Sequence, residues 1–327
     1  SINYGSASML KTKIMKAVVL KNFGNVDNFV IEDLPIPVIL ANEVLVQVKG
    51  ISINPVDVKT RMGKGLAGKL KDENPLILGW DISGIVTEVG SAVTSFKKGD
   101  EVFGMVNFPG HGKAYAEYVA APAAHLALKP KNISHQEAAA ATLAALTAWQ
   151  ALVTNAKIKA GQKILIHAAA GGVGHYAVQI AKHLGAYVIG TSSAINKDFV
   201  LGLGADEHFD YKNQRFEDLP KDIDFVLDTV GGENVDRSID IARKGGTVIS
   251  IPSGLSESVT EKAKQKGVNG YFMLVQSNGE DMKLIGSLLE KSILRSYVMR
   301  SYPFDKVAEA HLQIETGRTQ GKIIITV

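Results

Sequence analysis

The stretch Lys163-Ile-Leu-Ile-His-Ala-Ala-Ala-Gly-Gly-Val-Gly174, running on into Tyr176-Ala-Val-Gln-Ile-Ala-Lys-His-Leu-Gly185, decides the fold. A short apolar run, a turn of small residues and an amphipathic run predict a strand, a glycine turn and a helix in that order. A helix opened by glycines presents free N–H groups and a positive dipole end, which suit a pyrophosphate. Ala169, Gly171 and Gly174 stand at the three positions of a G-x-G-x-x-G fingerprint, with Ala replacing the first Gly. Small residues there let the backbone approach a phosphate closely. A second strand ending Tyr187-Val-Ile-Gly-Thr191 supplies the context the motif requires. The plain alternative is a tight strand–helix turn that holds no ligand.

Outward from this turn, helical and apolar extended runs alternate between residues 135 and 252. Helices are predicted over 135–153, 173–184 and 196–203, and strands over 163–168, 187–191, 225–228 and 247–251. Such alternation, with Val- and Ile-rich strands, marks an α/β fold with a doubly wound parallel sheet. Residues 15–128 read differently, as short β-rich segments at 16–20, 43–52, 84–89, 100–103 and 114–120 broken by Gly, Pro and Asn. That spacing predicts a partly open β-barrel or sandwich. Toward the C-terminus come a candidate edge strand at 270–275, a helix at 281–291, a strand at 295–299, a helix at 303–316 and a last strand at 322–327. An edge strand able to continue the sheet across a two-fold axis predicts a homodimer. Residues 1–14 are set aside as a tag remnant or loose arm.

Composition narrows the function. With 327 residues, 46% hydrophobic and 21% charged, the chain is long enough for two cores and unlike a disordered or fibrous sequence. A formal charge of +3 with no long basic run argues against dedicated nucleic-acid binding. Zero Cys excludes disulfides, thiolate zinc sites and a Cys nucleophile, and fits a reducing cytoplasmic setting. The longest apolar stretch, 138–153, is interrupted by Thr142, Thr147 and Gln150 and falls short of the ~20 residues a membrane span needs. No G-x-S-x-G hydrolase signature is present.

The end of the second strand bears on the cofactor. An NAD site usually offers Asp or Glu there to the ribose hydroxyls. This chain has Thr191-Ser-Ser-Ala194 and then Lys197, and hydroxyls with an ammonium suit a 2′-phosphate, so NADPH is expected over NADH. Alternatively Ser193 caps the following helix and Lys197 is a solvated surface charge.

Several ordered motifs now carry a resemblance. They are Met15-Lys-Ala-Val-Val, Ser52-Ile-Asn-Pro-Val-Asp-Val-Lys59, Leu78-Gly-Trp-Asp-Ile-Ser-Gly-Ile-Val86, Phe96-Lys-Lys-Gly-Asp-Glu-Val102, the glycine turn, and the closing Gly321-Lys-Ile-Ile. The chain resembles the medium-chain dehydrogenase/reductase superfamily, and within it the zinc-independent quinone oxidoreductases, zeta-crystallin-like proteins and alkenal/enone reductases. The resemblance implies a GroES-like catalytic domain of 15–134 and 278–327 around an NADPH-binding Rossmann domain of 135–277. The positions that hold catalytic zinc in the alcohol dehydrogenases fall at Asn54, Trp80 and Leu143, which cannot ligate zinc as a set, so no metal is expected. The resemblance also implies Ala169, Gly171, Gly172 and Val173 on the pyrophosphate, Ser193, Lys197 and Tyr211 on the 2′-phosphate, and Asn54, Thr147 and Ser250-Ile-Pro252 beside the nicotinamide. Thr147 equally reads as a helix hydroxyl bonded to its own backbone, Tyr211 as an ordinary partly buried aromatic, and Trp80 as either pocket floor or buried structural residue.

A metal-free site works by hydrogen bonds and position, so its substrate must already be electrophilic: a quinone or an α,β-unsaturated carbonyl. Asn54 or Lys59 would then steady the developing enolate oxygen. His111, in Phe108-Pro-Gly-His-Gly-Lys113, is expected on a flexible loop, either overhanging the cleft or merely exposed to solvent. Pocket shape is expected from loops near 61–75 and 253–268. The rival reading is a catalytically idle NADPH-binding protein with a structural, sensing or RNA-binding role.

Overall fold

A computed structural model describes residues 13–327. The N-terminal part runs β1 (Ile14–Leu20), β2 (Phe29–Pro35), β3 (Glu43–Ile53), α1 (Pro55–Arg61), α2 (Ala67–Leu70), β4 (Asp81–Val89), β5 (Glu101–Met105), β6 (Tyr118–Pro122) and β7 (Leu126–Leu128). The middle follows as α3 (His135–Ala140), α4 (Leu143–Trp149), β8 (Lys163–Ile166), α5 (Gly172–His183), β9 (Tyr187–Ser192), α6 (Lys197–Gly202), β10 (Glu207–Asp210), β11 (Ile223–Asp228), α7 (Glu233–Ile241), β12 (Ala242–Ser250), α8 (Glu257–Lys266) and β13 (Asn269–Phe272). Then come α9 (Gly279–Glu290), β14 (Val298–Pro303), α10 (Val307–Glu315) and β15 (Lys322–Thr326).

The six strands of the middle form one parallel sheet in the order β10-β9-β8-β11-β12-β13. This is the 3-2-1-4-5-6 order of a dinucleotide-binding Rossmann fold. Its central strands β8, β9 and β11 are largely apolar on both faces because helices cover both. Ile164 and Ile166 of β8 turn toward the core shared with Tyr176 and Val178 of α5, while Leu165 turns to a second core with Ile239 of α7 and Ala263 of α8. β13 is an edge of this sheet, as expected, although it ends at Phe272 rather than 275.

Of the remaining strands, β1 and β2 form an antiparallel pair, and the others form a seven-stranded sheet, β14-β15-β3-β4-β5-β7 with β6 also paired to β3. The last strand thus returns to the first part of the chain, Ile323–Thr326 running antiparallel to Gly50–Ile53. α3 packs against β3, β4 and β15 of this sheet, whereas α4 packs against α5 of the other. Nothing is described for residues 1–12, where most of the proposed arm lies, but Ile14 already belongs to β1.

Three expectations need correction. The helix expected over 135–153 is broken at Ala141 and Thr142, where Thr142 takes φ −117°, ψ −99° and its hydroxyl donates to the Ala139 carbonyl. The cause is Asp81, whose Oδ1 accepts the Leu143 N–H at 3.0 Å, a hydrogen that a continuous helix would have spent on itself. The strand expected over 114–120 is shifted to 118–122, with only an isolated bridge between Ala17 and Ala116 upstream. Finally, β2, β10, α7 and α8 are not among the expected elements; β10 and α8 are rich in charged residues, while α7 does carry Val235, Ile239 and Ile241 on one buried face.

Candidate active site

A cavity of about 510 Å³ opens where the two sheets meet. One side is the start of α1, with Asn54, Pro55, Val56 and Lys59, and the other is the glycine turn after β8. Pro55 opens α1 at a position where a missing N–H costs nothing, and Asn54 before it is held extended at φ −126°, ψ 154°. α4 contributes Leu143, Ala144 and Thr147, and residues 272–275 close the apolar wall. A shallower groove of about 400 Å³ by Lys182, His183 and Arg295 shares none of these groups.

The polar centre of the cavity is Lys322, at the start of β15. It is 3% exposed, and its ammonium donates to Asn54 Oδ1 at 2.7 Å and to the Ile53 carbonyl at 3.0 Å. Asn54 Nδ2 in turn donates to Asp81 Oδ2 at 2.8 Å. The Asn54 amide is therefore fixed at both ends, with one N–H to spare and no choice of orientation. Asp57, three residues on, accepts from the Asn54 N–H at 3.3 Å and from the Tyr115 hydroxyl at 2.6 Å. Tyr115 is backed by His311, His311 by Arg61, and Arg61 by Glu315 at 2.9 Å, an inner chain that holds α1 against α10.

Burial governs the charges here. It pushes Asp57 up to about 7, although the Tyr115 hydrogen bond works against it, and pushes Asp81 up to about 6 against the attraction of Lys322. Burial likewise holds Lys322 below the usual lysine range, while Asp81 and Asp57 oppose that shift. One cation facing two carboxyl groups makes the cluster a coupled unit rather than three independent residues.

The glycine turn is built to face outward. Ala168 takes φ 49°, and Gly171 precedes α5 without any capping side chain. His175 Nδ1 lies 2.6 Å from the Gly172 carbonyl and 3.0 Å from that of Gly171, so it carries the proton and draws both oxygens inward. The N–H groups of the first turn of α5, beginning at Gly172 and Val173, are left toward the cavity. A Cβ at Gly174 would strike the Ala168 carbonyl, and one at Gly172 would lie 3.2 Å from Lys322 Cδ. Amide hydrogens with no side chain in front of them, at the positive end of a twelve-residue helix, fit a diphosphate.

The structure brings Asn54, Lys59, Thr147, Gly171, Gly172 and Val173 to this cavity. Thr147 also donates its hydroxyl to the Leu143 carbonyl at 2.7 Å, so it can offer a ligand only an acceptor. Ala169 and Ser250 are not on the cavity surface. Ala169 is buried with its N–H on the Thr191 carbonyl, and Ser250 is buried with its hydroxyl on the Ser253 carbonyl, while the neighbouring Ile251 and Pro252 do reach the cavity. Ser193, Lys197 and Tyr211 lie outside it, past the ends of β9 and β10. Ser193 is partly exposed and accepts from Asn196 Nδ2 at 3.4 Å, and Tyr211 is 56% exposed.

Among the other candidates, His111 neither overhangs the cleft nor stands in solvent: its Nε2 lies 3.2 Å from the Ile77 N–H and 3.0 Å from the Ile77 carbonyl. Phe108 of that loop lines the cavity instead. Trp80 is fully buried and donates to the Gly110 carbonyl at 2.7 Å, so it is structural. Gly65 and Leu66 bear out the 61–75 loop, but residues 253–268 are largely α8 and the wall comes from 272–275. Among the described residues no cluster of three or more His, Cys, Asp or Glu is placed to hold a metal ion, and no helix is long and apolar enough to cross a membrane. Lys322 is the residue missed in sequence. Its signal was a charge standing alone at the head of the apolar run Ile323-Ile-Ile325.

Fold and cavity together define a pyridine-nucleotide oxidoreductase with a Rossmann sheet and a GroES-like sheet. Residues 40–131 match the alcohol dehydrogenase GroES-like domain, and residues 203–325 match the model described as zinc-binding dehydrogenase. The chain is 36% identical to 2-methylene-furan-3-one reductase of Solanum lycopersicum, over 95% of this chain and 79% of that protein. It is 35% identical to the chloroplastic NADPH-dependent alkenal/one oxidoreductase of Arabidopsis thaliana, over 96% of this chain and 80% of that protein. The structure of the quinone oxidoreductase from Coxiella burnetii superimposes with a TM-score of 0.91 at 39% identity, covering 96% of this chain and 100% of that one. The chain belongs to the medium-chain dehydrogenase/reductase superfamily, whose members use a nicotinamide cofactor.

Proposed function

We propose that this protein is an NADPH-dependent reductase of quinones or α,β-unsaturated carbonyls that works without a metal. The observation that carries the reading is the Lys322–Asn54–Asp81 chain set against the outward-facing glycine turn in one largely apolar cavity. A reduced nicotinamide bound there supplies hydride. The first-turn N–H groups of α5 hold its diphosphate, and Ser193, Lys197 and Tyr211 take the 2′-phosphate. Leu143, Phe272 and Leu274 give the flat conjugated substrate an apolar wall and keep water from it. The Lys59 ammonium and the spare Asn54 N–H stand ready for the oxygen on which charge develops. No carboxyl or imidazole is among the residues lining the cavity, so the final proton is left to water at its mouth.

The edge position of β13 supports a homodimer built by continuing the sheet, and the cysteine-free composition supports a cytoplasmic site of action. Light scattering at micromolar concentration tests the first. The function is tested by consumption of NADPH, with NADH as control, against quinones, alkenals, enones and simple aldehydes. Turnover of the conjugated acceptors with preference for NADPH is expected. Binding of NADPH with no turnover across the panel would instead favour the idle cofactor-binding protein.

A further inference from the structure

Ser192 ends β9, immediately before Ser193, and its hydroxyl has two neighbours. It donates to the Ser193 carbonyl at 3.1 Å and lies 2.6 Å from His208 Nε2. A hydroxyl has one proton, and with that proton on the carbonyl the second bond must be donated by Nε2–H. In this arrangement His208 carries a proton on Nε2, and its Nδ1 makes no hydrogen bond among the described residues. The next residue, Phe209, turns into the core with Leu165 and Val226, so strand alternation sends His208 to the opposite face of the sheet. The charged groups facing the ring are Lys197 from α6, which opposes a second positive charge, and Asp210 on β10, which favours it. Burial also opposes the charge and holds the ring below the ordinary histidine range. Asp206 and Glu207, just upstream, are engaged elsewhere by Lys182 and the Tyr187 hydroxyl.

We propose that His208 is a protonatable member of the adenosine-phosphate site: a 2′-phosphate seated by Ser193, Lys197 and Tyr211 draws a proton onto Nδ1, and selectivity for NADPH over NADH rises as pH falls toward neutrality and below. This inference rests on the NADPH reading above. The physical basis is that a phosphate dianion reverses the local balance. It offsets Lys197, and a cationic imidazole becomes the favoured form beside it. By linkage, a ligand whose binding raises the affinity of a group for protons must bind more tightly where protons are available.

The test is calorimetric titration of the protein with NADP⁺ and NAD⁺ at pH 7, in buffers of different ionisation enthalpy, for the wild type and for His208→Asn. Proton uptake on binding NADP⁺ should be larger in the wild type by roughly 0.2–0.4 proton, and uptake with NAD⁺ should be the same in both. Between pH 8 and pH 6 the NADP⁺/NAD⁺ affinity ratio should rise about threefold to tenfold more in the wild type than in the variant, the phosphate's own titration being common to both. A second readout needs no folded variant. In the wild type, the NMR titration of the His208 ring should move to higher pH by about one unit with NADP⁺ and not with NAD⁺. Equal proton uptake in the two proteins, or a ring titration unmoved by NADP⁺, overturns the proposal. A wild type that binds NADP⁺ no more tightly than NAD⁺ at any pH overturns both it and the assignment of Ser193, Lys197 and Tyr211.

Discussion

Replacing Lys322 with Met removes the one cation from a cluster of two buried carboxyl groups while keeping a side chain of similar length. Met matches the apolar stem of the lysine in length and volume, so packing changes little. What is lost is charge balance and two hydrogen bonds, at 2.7 Å and 3.0 Å. Breaking a direct buried ion pair costs roughly 3–5 kcal/mol, and Lys322, which reaches Asp81 only through Asn54, contributes less than that. That cost applies only where the carboxyls are ionised. Asp81 and Asp57 titrate at about 6 and about 7 with the lysine present, and since Lys322 lowers both, they move higher without it. At pH 8 the variant should therefore lose roughly 2–3 kcal/mol against the wild type, and at pH 5, with both carboxyls largely protonated, only about 1–2 kcal/mol for the hydrogen bonds. Urea unfolding at the two pH values reads this directly, provided the m-value is unchanged. Adding Asp81→Asn to Lys322→Met should recover part of the loss at pH 8. An equal loss at both pH values, or a larger one at pH 5, would refute the charge-balance reasoning.

Asp57 alone gives a second pH test. Its folded value of about 7 lies some three pH units above the ordinary 3.8. The fold thus binds this proton more tightly than the unfolded chain does, and stability falls as pH rises from about 4 to about 8, by roughly 4 kcal/mol from this group. Asp57→Asn keeps an oxygen for Tyr115 and should flatten that slope to the smaller part due to Asp81, as unfolding midpoints across the range would show. At the cofactor turn, Gly172→Ala brings a methyl group to 3.2 Å from Lys322 Cδ, which a flexible stem can accommodate. Stability should move by less than about 1 kcal/mol, while NADPH affinity, read by its fluorescence, should fall about tenfold as the diphosphate is held off. Lys59→Met should lower kcat on enones roughly tenfold or more, with cofactor affinity unchanged; a change confined to KM would make Lys59 a substrate-binding residue only. Lys197→Ala should weaken NADPH roughly tenfold to a hundredfold and leave NADH nearly untouched; equal losses would remove it from the phosphate site.

The parallel sheet was legible because its information is local. β8, the glycine turn and α5 are contiguous, and the central strands are apolar on both faces, so periodicity and turn chemistry agree. The glycine turn was legible for the same reason, and the structure sets it beside the cavity together with Asn54 and Lys59 of the Asn-Pro loop. Other features arise only across the chain. Lys322 meets Asn54 over a sequence separation of 268 residues, and Arg61 reaches His311 over 250, pairings that no window along the sequence contains. His111 was misjudged because its loop composition said glycine-rich and mobile, whereas the Ile77 backbone fixes its ring. Ser250 and Ala169 illustrate a finer limit. At the end of β12 it is Ile251 and Pro252, not Ser250, that line the cavity, a distinction that strand alternation in the sequence does not by itself reveal.

Asp81 shows how one buried carboxyl can organise a site that contains neither of its oxygens on the surface. Oδ1 takes the Leu143 N–H and so ends α3 and starts α4. Had the helix run on unbroken from His135, each added residue would have turned about 100° further along a single axis, with no kink to redirect Leu143, Ala144 and Thr147. The break that defeats the continuous helix expected over 135–153 is thus the event that supplies the cavity with one of its walls. Oδ2 takes Asn54 Nδ2, which leaves Oδ1 of the amide for Lys322 and so decides which way the amide faces. Both bonds are charge-assisted only while Asp81 is ionised, and burial alone would protonate it near neutrality. Lys322 is what opposes that. The polar centre of the cavity and the placement of α4 consequently depend on the same proton, and a substitution at either Asp81 or Lys322 should disturb the wall and the Asn54 amide together rather than one without the other.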